Sequence, residues 1–351
     1  MSIRCASQAV SFNPVLSEQG VRYGADGVAT VTIKTAPDVK KVSLRLLADA
    51  SFDFEMQAPG LWQGRITTVP GFHYLDILVD DTEILSPFLP IGYGCARPFN
   101  FIDIPAPGDD FYQPGDAPHG AVTQRYFDST VTGELETCLV YQPPQFDPAR
   151  AYPVLYLQHG WGENETGWVH QGRTNFLLDR LINAGKVVPM LVVMCNGMVQ
   201  KQGAVDLQLF PRLLVEDVIP YIEGSYRVLT DKWHRAMAGL SMGSAHTSVA
   251  TMTHPELFGY IGLFSGFLRH PQREDNPHLE ALNDAKAFAE NYRVFFRAMG
   301  KKDTFFSHFL QDDEILKGKG VESTRVLYEG DHDWQVWRQC IRDFAPLLFR
   351  E

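Results

Sequence analysis

Gly239-Leu240-Ser241-Met242-Gly243 follows the apolar run Arg235-Ala236-Met237-Ala238 and precedes Ser244-Ala245-His246-Thr247-Ser248-Val249-Ala250-Thr251-Met252. The first run reads as a short buried strand and the last as a helix. A G-x-S-x-G pattern at a strand-to-helix turn holds a serine nucleophile on strained backbone. Lacking a Cβ, the glycines let strand and helix approach closely around that serine. A glycine- and serine-rich surface turn would match the same letters, so the partners of the serine decide.

A serine hydroxyl needs a histidine to take its proton and a carboxylate to hold the imidazole. In this kind of turn the chain order is serine, acid, histidine. Of the 11 histidines, His270, His278, His308 and His332 lie well downstream of Ser241. His332 follows the β-rich run Thr324-Arg325-Val326-Leu327-Tyr328 through Glu329-Gly330-Asp331 and precedes an amphipathic stretch from Trp334 to Phe349, a strand, loop and helix placement. His270 and His278 sit in a polar stretch that reads as exposed loop, and His308, between Phe306 and Phe309, reads as a packing residue. For the acid, Tyr292 to Met299 reads as a strand ending in Gly300-Lys301-Lys302-Asp303, which favours Asp303. Asp312, Asp313 and Glu314 are rivals further along, while Asp331 and Asp333 are too close to His332 in sequence to reach its Nδ1 easily.

An oxyanion hole takes the N–H after the nucleophile and one from a loop after an early strand. Val154-Leu155-Tyr156-Leu157-Gln158 is that strand and His159-Gly160-Trp161-Gly162 the loop, so Met242 and Trp161 are the expected donors. His159 has no second ligand at a spacing such as H-E-x-x-H, so the chemistry is read as free of metal and cofactor.

Four stretches, H-G-W-G-E-N-E-T-G-W from His159, G-L-S-M-G-S from Gly239, G-K-K-D from Gly300 and G-D-H-D-W-Q-V-W from Gly330, together resemble the putative-esterase family of α/β-hydrolases. Within it they resemble the carbohydrate esterase family 1 type, which includes feruloyl and acetylxylan esterases. The resemblance covers about residues 119 to 351. It implies Ser241 as nucleophile, Asp303 as acid, His332 as base, and Trp161 and Met242 as oxyanion amides. Lys301 and Lys302 before Asp303 depart from the small or acidic neighbours usual there.

With 351 residues and 45% apolar composition the chain is long enough for two domains. Residues 104–118, rich in Pro, Gly and Asp, read as a linker. Before it, residues 28–33, 42–47, 62–66 and 73–79 alternate like strands and suggest a small β-sandwich over 1–103. This part resembles the immunoglobulin-like modules that precede many such esterases. Trp62, Phe72, Tyr74 and Tyr93 could stack on a sugar, although aromatics on alternating strands more often belong to a core. After the linker, 119–351 alternates strands and helices, the mark of a mostly parallel sheet. Residues 123–128 and 134–142 open it as an antiparallel pair, and strands follow near 153–158, 189–195, 235–240, 258–264, 292–299 and 324–329, with a helix near 208–224. The stretch 264–290 breaks the rhythm and is placed to cover a site.

The net charge of −11 and the absence of a Lys/Arg stripe argue against nucleic acid or an anionic membrane as partner. No apolar run reaches the roughly 18 residues of a membrane span. The start lacks a signal-peptide core, and the five cysteines, Cys5, Cys95, Cys138, Cys195 and Cys340, lack paired spacing; together these suggest reduced thiols in a cytoplasm.

The expected substrate is a small-molecule or oligosaccharide ester, carrying a feruloyl-type or acetyl group. Trp161, Trp168, Phe267 and Trp334 lie in or beside loops that should form the mouth, and flat walls suit a hydroxycinnamoyl group. An enterochelin-type siderophore esterase is the alternative, for which only Arg173, Lys201 and Arg269 offer positive charge. An acyltransferase and a catalytically idle binding protein are further readings, and a homo-oligomer is compatible with all of them.

Overall fold

The computed structural model describes residues 19–47, 50–105, 108–201, 203–269 and 275–350. The chain divides into two units, Met1–Pro114 and Gly115–Glu351. In the first, strands β1 (Gly20–Tyr23), β2 (Ala29–Lys34), β3 (Val42–Leu46), β4 (Ser51–Asp53), β5 (Glu55–Ala58), β6 (Leu61–Ile66), β7 (Gly71–Val79), β8 (Thr82–Ile84), β9 (Ile91–Gly94) and β10 (Arg97–Ile104) form two sheets. Their orders are β1-β2-β6-β5 and β4-β3-β7-β10-β9, with β8 on β7. Alternate residues from both sheets, among them Val31, Ile33 and Ile66 from one and Leu44, Ile77 and Ile102 from the other, share one core. Trp62 belongs to that core and donates its indole N–H to Thr35 Oγ1 at 3.0 Å, so it has no face left for a sugar. Phe72 is also buried, edge-on to Tyr74 at 4.7 Å.

The expected linker is partly structured. Strand β10 runs through Ile104, and Asp109–Tyr112 forms a 3-10 turn whose buried Tyr112 donates its hydroxyl to Asp103 at 3.4 Å. Pro and Gly mark where an element stops, but they do not show that an aromatic between them has a packing partner.

The second unit carries a sheet of strands β11 (Ala121–Asp128), β12 (Leu135–Gln142), β13 (Val154–Gln158), β14 (Leu191–Cys195), β17 (Arg235–Leu240), β18 (Tyr260–Phe264), β19 (Val294–Gly300) and β20 (Thr324–Tyr328), with a separate hairpin of β15 (Gln200–Lys201) and β16 (Ala204–Val205). The eight-stranded order is β11-β12-β14-β13-β17-β18-β19-β20. Strand β12 pairs antiparallel with β11 and β14, and the remaining pairs are parallel. Strands β13, β14, β17 and β18 are buried along their whole length, which explains why they are apolar except at Gln158 and Arg235.

The helices used below are α1 (Thr174–Asn183), α2 (Met242–Thr253), α3 (Ala285–Asn291), α4 (Phe306–Lys319) and α5 (Trp334–Phe344). Both faces of the sheet are covered. Ile261 and Leu263 of β18 pack with Met252 of α2, whereas the intervening Gly262 and Phe264 face the Phe344 ring of α5. Helix 208–224 is interrupted, as Phe210–Leu213, a π turn Leu214–Val218 and Ile219–Ser225.

The stretch after β18 contains a 3-10 segment Pro277–Asn283 and α3. His278, expected in exposed loop, is buried with Nε2 2.8 Å from the Leu268 carbonyl. The polar composition around it hid one buried ring. His270 lies outside the described residues, as does Cys5. Cys95, Cys138, Cys195 and Cys340 are free thiols. No helix among the described residues is long and apolar enough to cross a membrane.

Candidate active site

Ser241 stands between β17 and α2 with φ 51° and ψ −117°, a conformation that L side chains rarely adopt. Its N–H donates to the Phe264 carbonyl at 2.9 Å, and its carbonyl accepts Ser244 N at 3.0 Å. The glycines supply the room. A Cβ on Gly239 would meet the Gly243 carbonyl, one on Gly243 would lie 2.5 Å from the His159 carbonyl oxygen, and one on Gly160 would lie 2.7 Å from Leu240 Cδ1. Strand, helix and the His159 loop thus converge on one residue.

His332 follows β20 and brings Nε2 to 3.0 Å from Ser241 Oγ, while its Nδ1 lies 2.8 Å from Asp303 Oδ2. Asp303 follows β19, and its side chain has no exposed surface. Its other oxygen accepts the Phe305 N–H at 2.8 Å, which fixes the carboxylate plane. All three side chains come from the carboxyl ends of parallel strands, where open α/β sheets gather their chemistry. The rivals are engaged elsewhere. Asp312 accepts Leu268 N at 3.0 Å, Asp313 pairs with Arg297 and Arg325, and Glu314 is exposed. Asp331 Oδ1 accepts His332 N, and Asp333 caps α5 through Val336 N. Lys301 turns to Glu329 and Lys302 is exposed, so neither lysine contacts the carboxylate in its place.

Met242 is the first residue of α2, where N–H groups have no intrahelical acceptor. Trp161 follows Gly160, whose own N–H is taken by Glu163 Oε2 at 3.1 Å. This leaves the Met242 and Trp161 amides on the two segments that meet at Ser241. Among the described residues no cluster of His, Cys, Asp and Glu could hold a metal ion.

His159 serves the same loop. Its Nε2 accepts Gly197 N at 2.8 Å, so Nδ1 carries the proton and donates to the Gly160 carbonyl at 2.7 Å. Burial pushes this imidazole down to about 4, against smaller opposing effects of its bonds to Gly160 and Asn196. The unfolded chain therefore takes up a proton near pH 6.5 that the folded chain refuses until about pH 4. Stability from this group is full above pH 6.5 and falls as pH drops to about 4, by on the order of 3 kcal/mol. Urea midpoints of the wild type and His159→Gln between pH 7 and 4.5 check this, the variant losing less; equal pH slopes would refute it.

The aromatic residues divide differently from expectation. Trp161 is 58% exposed, whereas Trp168 and Trp334 are each 1% exposed and stand edge-on to one another at 5.2 Å. The two buried indoles are packing residues and not walls of a mouth. Phe267 is half-buried, tied by its N–H to Ser244 Oγ at 2.9 Å, and that hydroxyl in turn bonds the Ser241 carbonyl. Its ring meets Phe305 at 5.2 Å and the exposed His308 at 5.6 Å, and Phe305 meets His332 at 5.0 Å. His308 therefore packs, as expected, yet does so at the surface. Phe305 and Trp337, whose ring is 5.2 Å from that of His332, were not singled out in the sequence. Their signals are present: Phe305 lies two residues after Asp303, and Trp337 shares with Trp334 and Ile341 the apolar stripe of α5.

A mostly parallel sheet with helices on both faces, and a strained serine in line with a histidine and a buried aspartate, define an α/β-hydrolase. A family profile described as Putative esterase matches residues 129–346, and the chain belongs to that family. It is 35% identical to an endo-1,4-beta-xylanase/feruloyl esterase of Xylanibacter ruminicola, over 96% of this chain and 47% of that protein. It is 27% identical to endo-1,4-beta-xylanase Y of Acetivibrio thermocellus, over 70% of this chain and 24% of that protein. The chain thus spans less than half the length of these relatives. Among solved structures, a CE1 ferulic acid esterase from Anaeromyces mucronatus with bound ferulic acid aligns at TM-score 0.61 and 22% identity, covering 69% of this chain and 95% of that one. The enterobactin esterase of Shigella flexneri aligns at TM-score 0.60 and 14% identity, covering 91% and 92%. At these identities the structural likenesses speak to the fold.

Proposed function

We propose that this chain is a serine carboxylester hydrolase that releases hydroxycinnamoyl groups from carbohydrate esters, and that its all-β unit is an immunoglobulin-like module. The unbroken line from Ser241 Oγ through His332 to Asp303 Oδ2, at 3.0 and 2.8 Å, carries the reading of the chemistry. Ser241 Oγ attacks the ester carbonyl as its proton passes to His332 Nε2, and the carbonyl electron pair moves to oxygen, where the Met242 and Trp161 amides receive it. Collapse breaks the bond to the sugar oxygen, which takes the proton from His332. Water, giving its proton to the same nitrogen, then releases the acyl group and restores Ser241.

The acyl preference rests on the aromatic belt of Phe267 and Phe305 beside His332, together with the relatives named feruloyl esterases. A catecholate siderophore finds less to bind. Arg173 is buried, Lys201 donates to the Val131 carbonyl at 2.9 Å, and Arg269 bonds Gln311. Turnover of methyl ferulate, methyl acetate and a cyclic catecholate triester by purified protein tests the assignment, with added alcohol to reveal acyl transfer.

Burying half an aromatic acyl ring is worth on the order of 1 to 2 kcal/mol. Methyl ferulate should therefore exceed methyl acetate by about tenfold or more in kcat/KM. Phe267→Ala should erode that ratio more than it lowers acetate turnover. A wild type that prefers acetate, or a ratio indifferent to Phe267, would count against this pocket.

A further inference from the structure

Two aromatic rings contact the His332 imidazole besides its hydrogen bonds. Phe305 lies 5.0 Å away at 72° between planes, and Trp337 lies 5.2 Å away at 89°. Behind Trp337 stands Trp334 at 5.1 Å and 83°, and behind that Trp168 at 5.2 Å and 90°. Each contact has near-perpendicular planes, the arrangement in which aromatic edges and faces attract. The buried indole N–H of Trp337 has no acceptor among the described residues, and neither has that of Trp334 or Trp168. An unmatched buried donor opposes folding. Phenylalanine would fill much of the same space without one. What the indole alone adds is a larger and more electron-rich face, the best of the side-chain rings for a neighbouring cation.

We propose that Trp337, buttressed by Trp334 and Trp168, is a positioning residue that with Phe305 holds the His332 imidazole in line and stabilises the imidazolium formed during acyl transfer. This rests on the hydrolase reading above. The cation arises when the Ser241 hydroxyl proton reaches Nε2 as the bond from Oγ to the acyl carbon forms, and it disappears when that proton passes to the departing alkoxide. Edge contacts on the ring limit its rotation, so both hydrogen bonds persist as the charge comes and goes.

Among the described residues, the titratable groups that bond, flank or lie behind the ring are Asp303, Asp331, Asp333 and His308. Asp303, from the turn after β19, bonds Nδ1 directly. Asp331 and Asp333 flank His332 with their carboxylates committed to backbone N–H groups. His308 of α4 contacts Phe305 and Phe267.

The test is the full chain with Trp337→Leu, Trp337→Phe and Phe305→Leu, assayed on methyl ferulate from pH 5 to 9 with thermal melts alongside. Trp337→Leu should lower kcat about tenfold with KM within about twofold of wild type. The acid limb of kcat/KM should move to lower pH, because a less favoured imidazolium surrenders its proton more readily. Trp337→Phe should recover most of the positioning, and with it most of kcat, but only part of the shift in the acid limb, since phenylalanine offers the cation a weaker face. If Trp337→Leu does not fold, Phe305→Leu carries the same expectation for the acid limb. A leucine variant with wild-type kcat, or with activity lost only in proportion to unfolded protein and an unmoved acid limb, would overturn the proposal. Failure of the hydrolase reading looks different: the wild type would turn over no ester, or Ser241→Ala would be as active as wild type.

Discussion

Ser241→Ala is expected to lower kcat on methyl ferulate by about 10⁶, because without Oγ neither the attack nor the acyl-enzyme exists and only binding and the oxyanion amides remain. The size of the loss follows from how much of the site converges on that one atom. His332 Nε2 is 3.0 Å from it, and the His159 loop and α2 approach on either side through glycine. The backbone strain at φ 51° does not depend on the hydroxyl, so the variant should melt close to wild type. Burst kinetics with an activated aryl ester check this: the wild type should release a stoichiometric first turnover and the variant none. Residual activity within tenfold of wild type would remove Ser241 from the chemistry.

Asp303→Asn should cost about 10⁴ in kcat while leaving the fold largely intact. An amide of the same shape can still accept the Phe305 N–H, but presenting its NH₂ to Nδ1 favours the tautomer with the proton on Nε2, where it cannot accept one from Ser241. Asp312→Asn is the informative comparison. Asp312 holds Leu268 N through an oxygen that an amide can replace, and burial raises the proton affinity of its carboxyl, so a neutral asparagine there should leave both the fold and kcat little changed. If Asp312→Asn rather than Asp303→Asn abolished turnover, the acid would lie on α4.

Much of the site could be read locally because its requirements are local. Gly239 and Gly243 flank a serine whose backbone leaves no room for a Cβ nearby, and that constraint is written in five consecutive letters. The β-rich run to Tyr328 and the turn residues after it announce His332, and the strand ending at Gly300 announces Asp303. The inner strands β13, β14, β17 and β18 were legible for a related reason: buried on both faces, they are apolar along most of their length. The small sheets of the first unit were less so. Strands β4, β5, β8 and β9 have three or four residues each, too few to show a period.

What the sequence by itself determined is a candidate nucleophile, acid and base and their order along the chain, since each is marked by neighbours within a few residues. What only the tertiary structure decided is which aromatic rings meet the His332 imidazole. Trp168 and Trp334 come from segments more than 160 residues apart and bury one another, while Phe305 and Trp337, from the turn after β19 and from α5, converge on His332. Composition marks all four rings as large and apolar. Whether such a ring lines a mouth or supports a catalytic base depends on packing between elements distant in the chain, which no local pattern encodes.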